Sequence, residues 1–262
     1  MEYVIIFLVC FFSSVVGAIC GIGGGVVIKP VLDATGILAV TTVSFLSGCT
    51  VLSMSLVSMY KSVRAERDFA FDGKFAIVIA LGGVIGGLSG KEMYQAVLRA
   101  LPDTSRVGAV QAAVLLVITL GTLLYTIKKE TIKTREINNK PIIFLIGVFL
   151  GILSAFLGIG GGPINLAVLS YLFSMKSKQA AMYSIFIILF SQISSLISTL
   201  ATGSVPPFEL PILLLMIVCG VLGGLVGSRI NNIIDNKTVD RLFIGLMAVI
   251  ICINIYNVYR YI

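Results

Sequence analysis

Two glycine clusters are the chain's most unusual source of chemistry: Gly21-Ile22-Gly23-Gly24-Gly25 and Gly158-Ile159-Gly160-Gly161-Gly162. Both lie within long apolar runs, where each glycine costs a helix about 1 kcal/mol. Backbone that leaves the helix at membrane depth is tolerated only where protein or a water-lined cavity satisfies its polar groups. Consecutive glycines leave amide N–H groups without side-chain cover. A helix starting just afterwards adds further free N–H groups and the positive end of its dipole. Two such breaks converging inside a membrane would suit a small anion, an arrangement that secondary transporters use. The competing reading is close helix packing through small residues. Nucleotide binding lacks the strand–loop–helix context it needs.

Lys29, in Val26-Val27-Ile28-Lys29-Pro30 after the first break, is the next candidate. A lysine among apolar residues is costly at depth and reads as functional unless it snorkels to the interface. Its counterpart in the second half is Leu166, beside the neutral polar group of Asn165. Ser184, Ser191, Ser195, Ser198 and Thr202 have spacings of 7, 4, 3 and 4, which place them on one helical face, with Gln192 nearby. Ser44, Ser47, Ser55 and Ser58 form a looser stripe on the matching segment. Such hydroxyls either coordinate an oxyanion or bond neighbouring helices.

Carboxylates are few. Asp72 and Glu209 precede apolar segments, where a helix dipole favours them, and Asp33 and Glu92 lie at segment ends. A proton relay would need one of these border residues. There is no histidine, and the five cysteines are scattered through apolar runs. A zinc site, a CxxC pair or a disulfide scaffold therefore has little to be built from. No enzyme activity, cofactor or metal site is expected.

These groups need elements to position them, and the composition says which kind. Of the 262 residues, 58% are apolar and 12% charged, with a mean hydropathy of +1.07. A water-soluble core cannot absorb that much apolar surface, which excludes a soluble enzyme or nucleic-acid binder. Spanning candidates of about 20 residues lie near 37–60, 75–90, 107–127, 180–201, 210–227 and 242–261. Two more runs, 3–20 and 141–157, end in the glycine clusters and are followed by short apolar segments.

The chain repeats itself at an offset of 137 residues. The glycine clusters match at that offset, as do Gly83, Gly86, Gly87, Leu88 and Gly90 with Gly220, Gly223, Gly224, Leu225 and Gly227. Phe71-Asp72 matches Phe208-Glu209 in the same way. Three matches at one offset indicate a duplication. Residues 1–127 and 141–262 are read as two transmembrane repeats, joined by a basic cytoplasmic linker at 128–140. If each glycine break turns the chain back, each repeat has an odd number of crossings and the two are inverted. Fourteen of the nineteen Lys and Arg residues then share one side, against Lys29, Lys91, Arg99, Arg106 and Arg260 on the other. The positive-inside rule favours this arrangement, with both termini outside. The fold expected is an all-α integral membrane protein of two inverted repeats. Each holds a glycine-broken or re-entrant helix pair and three spanning helices.

The second motif, GxxGGLxG, reads as helix packing, and Lys91 and Arg229 beyond it read as interface anchors. Alanine at Gly24 or Gly161 is accordingly expected to impair transport more than alanine at Gly86 or Gly223.

The segments GAICGIGGGVVIKPVL and SAFLGIGGGPINLAVL, one in each half, resemble the sulfite exporter TauE/SafE family, also called the toluene sulfonate uptake permease family. The resemblance covers essentially the whole chain. It implies a multi-pass carrier in the cell membrane, exporting sulfur-containing anions such as sulfite, thiosulfate or organosulfonates. Pro30 matches the family's proline, Ala167 replaces it in the second half, and Lys29 stands where an apolar residue is commoner. The candidate substrate-binding residues are Gly21, Gly23, Gly24, Gly25, Lys29, Ser47, Gly158, Gly160, Gly161, Gly162, Asn165, Ser184, Ser191 and Gln192. A carrier or channel for another small organic anion, such as a carboxylate, is the alternative. The expected partners are a small anionic substrate and the lipid bilayer, with no nucleic acid. A homodimer and a coupling ion such as a proton stay open.

Overall fold

The computed structural model describes residues 2–64, 71–101 and 104–261, which form ten helices with short connections. They are α1 (Glu2–Cys20), α2 (Gly25–Thr35), α3 (Val40–Arg64), α4 (Gly73–Ala100), α5 (Thr104–Lys128), α6 (Lys140–Leu157), α7 (Gly162–Phe173), α8 (Ser177–Ala201), α9 (Leu210–Ile233) and α10 (Asn236–Tyr261). Eight of these are long and apolar enough to cross a membrane. The other two, α2 and α7, have 11 and 12 residues. At 1.5 Å per residue they reach about half of a ~30 Å hydrocarbon core.

Hydrogen bonds between helix ends fix the direction of each element. At one end, the Tyr3 hydroxyl donates to Glu209 at 3.0 Å, the Thr42 hydroxyl to the Pro207 carbonyl at 3.0 Å, and Arg260 to the Asp33 carbonyl at 3.1 Å. This first end therefore holds the starts of α1, α3 and α9 and the finishes of α2 and α10. At the second end, Lys129 donates to Ser177 at 2.9 Å and pairs with Asp240 at 2.5 Å. The Arg135 amide there donates to the Tyr171 carbonyl at 2.8 Å, and the Asp72 amide to the Tyr183 hydroxyl at 2.8 Å. That end gathers the finish of α5, the 128–140 linker, the finish of α7 and the starts of α4, α8 and α10.

It follows that α1 runs away from the first end and α2 returns to it, while α6 and α7 do the reverse. The glycine clusters are the turns of two oppositely directed hairpins, and three helices cross the bundle in each half. Helix pairing is unchanged when the halves are exchanged: α1 packs on α9 and α6 on α4, α3 on α9 and α8 on α4. Likewise α2 meets α3 and α10, as α7 meets α8 and α5. Arg67 and the Arg64 side chain, members of the basic set, lie outside the described residues.

Local sequence explains the ends. Asp72 caps α4, accepting from the amides of Lys74 at 2.9 Å and Phe75 at 3.2 Å. Glu209 occupies the same position before α9 but spends its side chain on Tyr3 instead. Gly21, Gly23, Gly158, Gly160 and Gly161 all have left-handed φ between 64° and 82°, which a side chain would strain.

The GxxGGLxG motif is two interleaved i, i+4 pairs that serve two neighbours. On α4, Gly83 and Gly87 face α8, while Gly86 and Gly90 lie on the backbone of α6. On α9, Gly220 and Gly224 face α3, and Gly223 and Gly227 lie on α1. A Cβ on Gly86 would overlap the Val148 carbonyl, and one on Gly223 the Ser14 side chain. On Gly24, by contrast, a Cβ would sit 3.1 Å from Ser14 with a right-handed φ of −61°. The expected ranking is therefore reversed for this pair: Gly86→Ala should cost more than Gly24→Ala. Helix-against-helix glycines have no slack, because separating two backbones moves whole elements.

The end assignments predict a labelling pattern. Single cysteines at Tyr3 and Tyr259 should react with an impermeant thiol reagent from one side of the membrane, and a cysteine at Lys133 only from the other. Labelling of all three from one side would contradict the hairpin directions.

Candidate functional site

The two glycine turns meet. A Cβ on Gly162 would overlap the Ile22 carbonyl, and one on Gly25 would lie 2.7 Å from the Ile159 carbonyl. Ile22 and Ile159 are themselves equivalent at the 137 offset, so each turn seats its isoleucine carbonyl against the other's first helical glycine. Gly23 and Gly160 both rest on Val51 and Ile188, another equivalent pair. Gly24 packs on Ser14 and Gly161 on Ser154. Among the eight candidate glycines only Gly158 lines the main cavity; the other seven lie against protein.

That cavity, of about 320 Å³, lies toward the first end, between α3, α4, α5, α6, α8 and the 204–207 connection. Hydroxyls of Thr41, Ser44, Ser195, Thr199 and Ser204 line it, with the amide side chains of Gln95, Gln111 and Gln192. Lys91 is the charged residue in the lining, its ammonium 5.2 Å from the centre of the Tyr94 ring. The cavity is large enough for a small ligand, and among the described residues its polar groups are donors or neutral acceptors with no carboxylate.

Of the other candidates, Gln192 lines the cavity and donates to Ser154 at 3.4 Å. Ser191 shares a 2.9 Å hydrogen bond with Ser154, joining α8 to α6. Ser47 and Ser184, equivalent at the 137 offset, are fully buried with hydroxyls that have no partner. Asn165 is also fully buried, and neither end of its amide has a partner.

Lys29 neither snorkels nor lines the main cavity. It is 3% exposed and pairs with Asp33, itself 6% exposed, at 3.1 Å. It also donates to Ser44 at 2.9 Å, so its ammonium stands one hydroxyl behind the cavity wall. The i, i+4 spacing puts both residues on one face of α2. Arg260 caps the finish of that helix through the Asp33 and Ala34 carbonyls.

Lys91 and Arg229 were expected to behave alike as anchors, yet Lys91 lines the cavity and Arg229 is exposed near the second end. The apolar run stops at Gly90 but α4 continues to Ala100, which keeps Lys91 inside the bundle. Gln111 was also missed; a lone amide in the apolar α5 was its only signal.

Crossing helices, paired re-entrant hairpins and a polar cavity open toward one end describe a multi-pass membrane transporter. Residues 6–253 match the sulfite exporter TauE/SafE family, and the chain belongs to it. It is similar to the probable membrane transporter protein YunE of Bacillus subtilis, 26% identical over 98% of each chain. It is also similar to the probable membrane transporter protein MJ0441 of Methanocaldococcus jannaschii, 24% identical over 94% of this chain and 92% of that one. No solved structure matches it.

Proposed function

We propose that the protein carries a small sulfur-containing anion, such as sulfite, thiosulfate or an organosulfonate, across the cell membrane by alternating access. The observation that carries this reading is the cavity itself, where Lys91 is the charged lining residue and hydroxyls and amides supply the remaining polar groups. Lys29 adds a second cation behind Ser44. Gly158 and Gln192 take part directly, whereas the remaining glycines shape the turns. The positive-inside rule places the linker in the cytoplasm and the cavity mouth outside. Export is the direction that the family's description carries.

A carrier is favoured over a channel by what lies at the second end. Residues equivalent at the 137 offset to the cavity lining are packed there: Gly21 sits on Ala181, where Gly158 faces Ser44 across a wider gap. Asn231, the counterpart of Tyr94, donates to the Ile19 carbonyl at 2.5 Å. Ser55, Ser58 and Ser228, counterparts of Gln192, Ser195 and Lys91, are buried with hydroxyls lacking partners. Buried polar groups are normally bonded, so orphans of this kind suit a surface that becomes wet in another state. In this reading the two halves exchange roles, the second-end cavity opening as the first closes.

Binding of sulfite, thiosulfate, sulfoacetate and taurine to the purified protein tests the substrate class, with a dicarboxylate as the competing reading. Lys91→Gln should weaken binding of the preferred anion about tenfold, the low end for a charge-assisted hydrogen bond at a position still partly open to water. Arg229→Gln, changed at the exposed second end, should bind like the parent. Equal affinities in both variants and the parent would remove Lys91 from the site. Saturable flux in proteoliposomes separates a carrier from a channel.

A further inference from the structure

Behind the cavity, α2, α5, α6 and α10 enclose a void of about 10 Å³, with Lys29, Asp33, Gln111 and Asn257 in its wall. Three of these side chains carry an oxygen without any hydrogen-bond partner: Asp33 Oδ1, Gln111 Oε1 and Asn257 Oδ1. The amides cannot turn to help. Gln111 Nε2 is held by the Phe156 carbonyl at 2.7 Å and Asn257 Nδ2 by the Pro30 carbonyl at 2.9 Å. The void thus gathers three unpartnered acceptors beside the Lys29 ammonium. Asp33's other oxygen binds Lys29, whose remaining bond reaches Ser44 on the cavity wall.

We propose that Asp33 is the proton-binding site that couples proton movement to anion transport. The proposal rests on the anion-carrier reading above. The charged and titratable groups around Asp33 are Lys29 on its own helix, Arg260 on α10 and Tyr94 on α4; α5 presents the neutral Gln111. With Asp33 ionised, the Lys29 ammonium is neutralised and an anion in the cavity finds little charge behind Ser44. A proton added to Asp33 Oδ1 supplies the missing donor and releases the ammonium to the anion. The charges balance for a dianion such as thiosulfate: Lys91, the Lys29–Asp33 pair and the dianion together carry −1, and one proton on Asp33 restores neutrality before the loaded site moves through low dielectric. Anion affinity is therefore high below the apparent pKa of Asp33 and falls as pH rises through it, and anion binding takes up a proton. The small size of the void, together with the like charge of the Lys29 ammonium beside it, favours a proton over a metal cation.

The test uses thiosulfate, which keeps its charge between about pH 5.5 and 8, and the full chain in detergent. For the parent, affinity should fall about tenfold per pH unit above the midpoint, with close to one proton taken up per anion bound. Asp33→Asn should bind thiosulfate tightly with no pH dependence and no proton uptake. Lys29→Gln with Asp33→Asn, which leaves no buried charge, should bind weakly at every pH. Proton uptake by the parent needs no variant to fold, so the proposal is exposed to refutation in any case. A parent whose affinity is flat with pH, or follows sodium instead, overturns the coupling and leaves the anion reading standing. So does an Asp33→Asn variant that keeps the parental slope, or a double variant that binds as tightly as Asp33→Asn. No binding of thiosulfate or of any other sulfur anion by the parent overturns both.

Discussion

Gly162→Ala is expected to abolish transport and sharply reduce the folded protein recovered from membranes, while Gly121→Ala and Gly245→Ala leave both at parental levels. A Cβ on Gly162 has no room, because the Ile22 carbonyl of the opposite hairpin already occupies its place. Relief would require the two turns to separate, and each is tied into its own half by α1 and α6. Overpacking of this kind costs about 3 kcal/mol or more where backbone rather than a side-chain tip must move. Gly21→Ala belongs to the same class, since its φ is +74° and the Ala181 backbone blocks the added methyl. Gly121 and Gly245 lie on helices with nothing within 4 Å of the added atom, and alanine there improves helix propensity. Recovery of monodisperse protein and initial flux at matched expression are the measurements. Full activity in Gly162→Ala would mean that the hairpin turns are not in contact while the protein works.

The glycine turns also show what the sequence exposed and what it concealed. A cluster of glycines in an apolar run announces a break, and its recurrence at one offset announces two. The charge asymmetry then selected opposed directions for them, which the helix-end hydrogen bonds match. What periodicity could not give was the destination of each amide and carbonyl. Seven of the eight glycines pack closely against protein, a role that looks identical in sequence to cradling an anion. The partner of Lys29 was within reach, four residues on in α2 at Asp33. It was read as a border residue because Thr35-Gly36 closes the segment so soon after it. Lys91 was hidden for the opposite reason, as α4 outruns its apolar stretch by ten residues. Ser47, Ser184 and Asn165 were singled out by type, and the structure leaves their polar atoms buried without partners.

Lys29→Gln alone is expected to destabilise the protein by about 3–5 kcal/mol, the usual cost of leaving one member of a buried ion pair without its counter-charge. At a lysine exposed in the cavity the same change would cost anion affinity and leave folding intact. Burial changes that, because the Asp33 carboxylate would be left with neither Lys29 nor water, and Arg260 reaches only backbone carbonyls beside it. The double change Lys29→Gln with Asp33→Asn should recover most of the loss, since neutral amides of similar size can bond to each other across the same i, i+4 turn. Lys29→Arg should recover less than the double change despite keeping the charge. The planar guanidinium cannot reproduce the ammonium's two bonds, to Asp33 at 3.1 Å and Ser44 at 2.9 Å, without moving α2. Thermal unfolding of the parent, Lys29→Gln, Asp33→Asn and the double variant in one detergent gives the coupling energy directly, because the cycle cancels whatever each single change does elsewhere. A Lys29→Gln variant as stable as the parent, with no coupling to Asp33, would mean that the pair is open to water in the working protein.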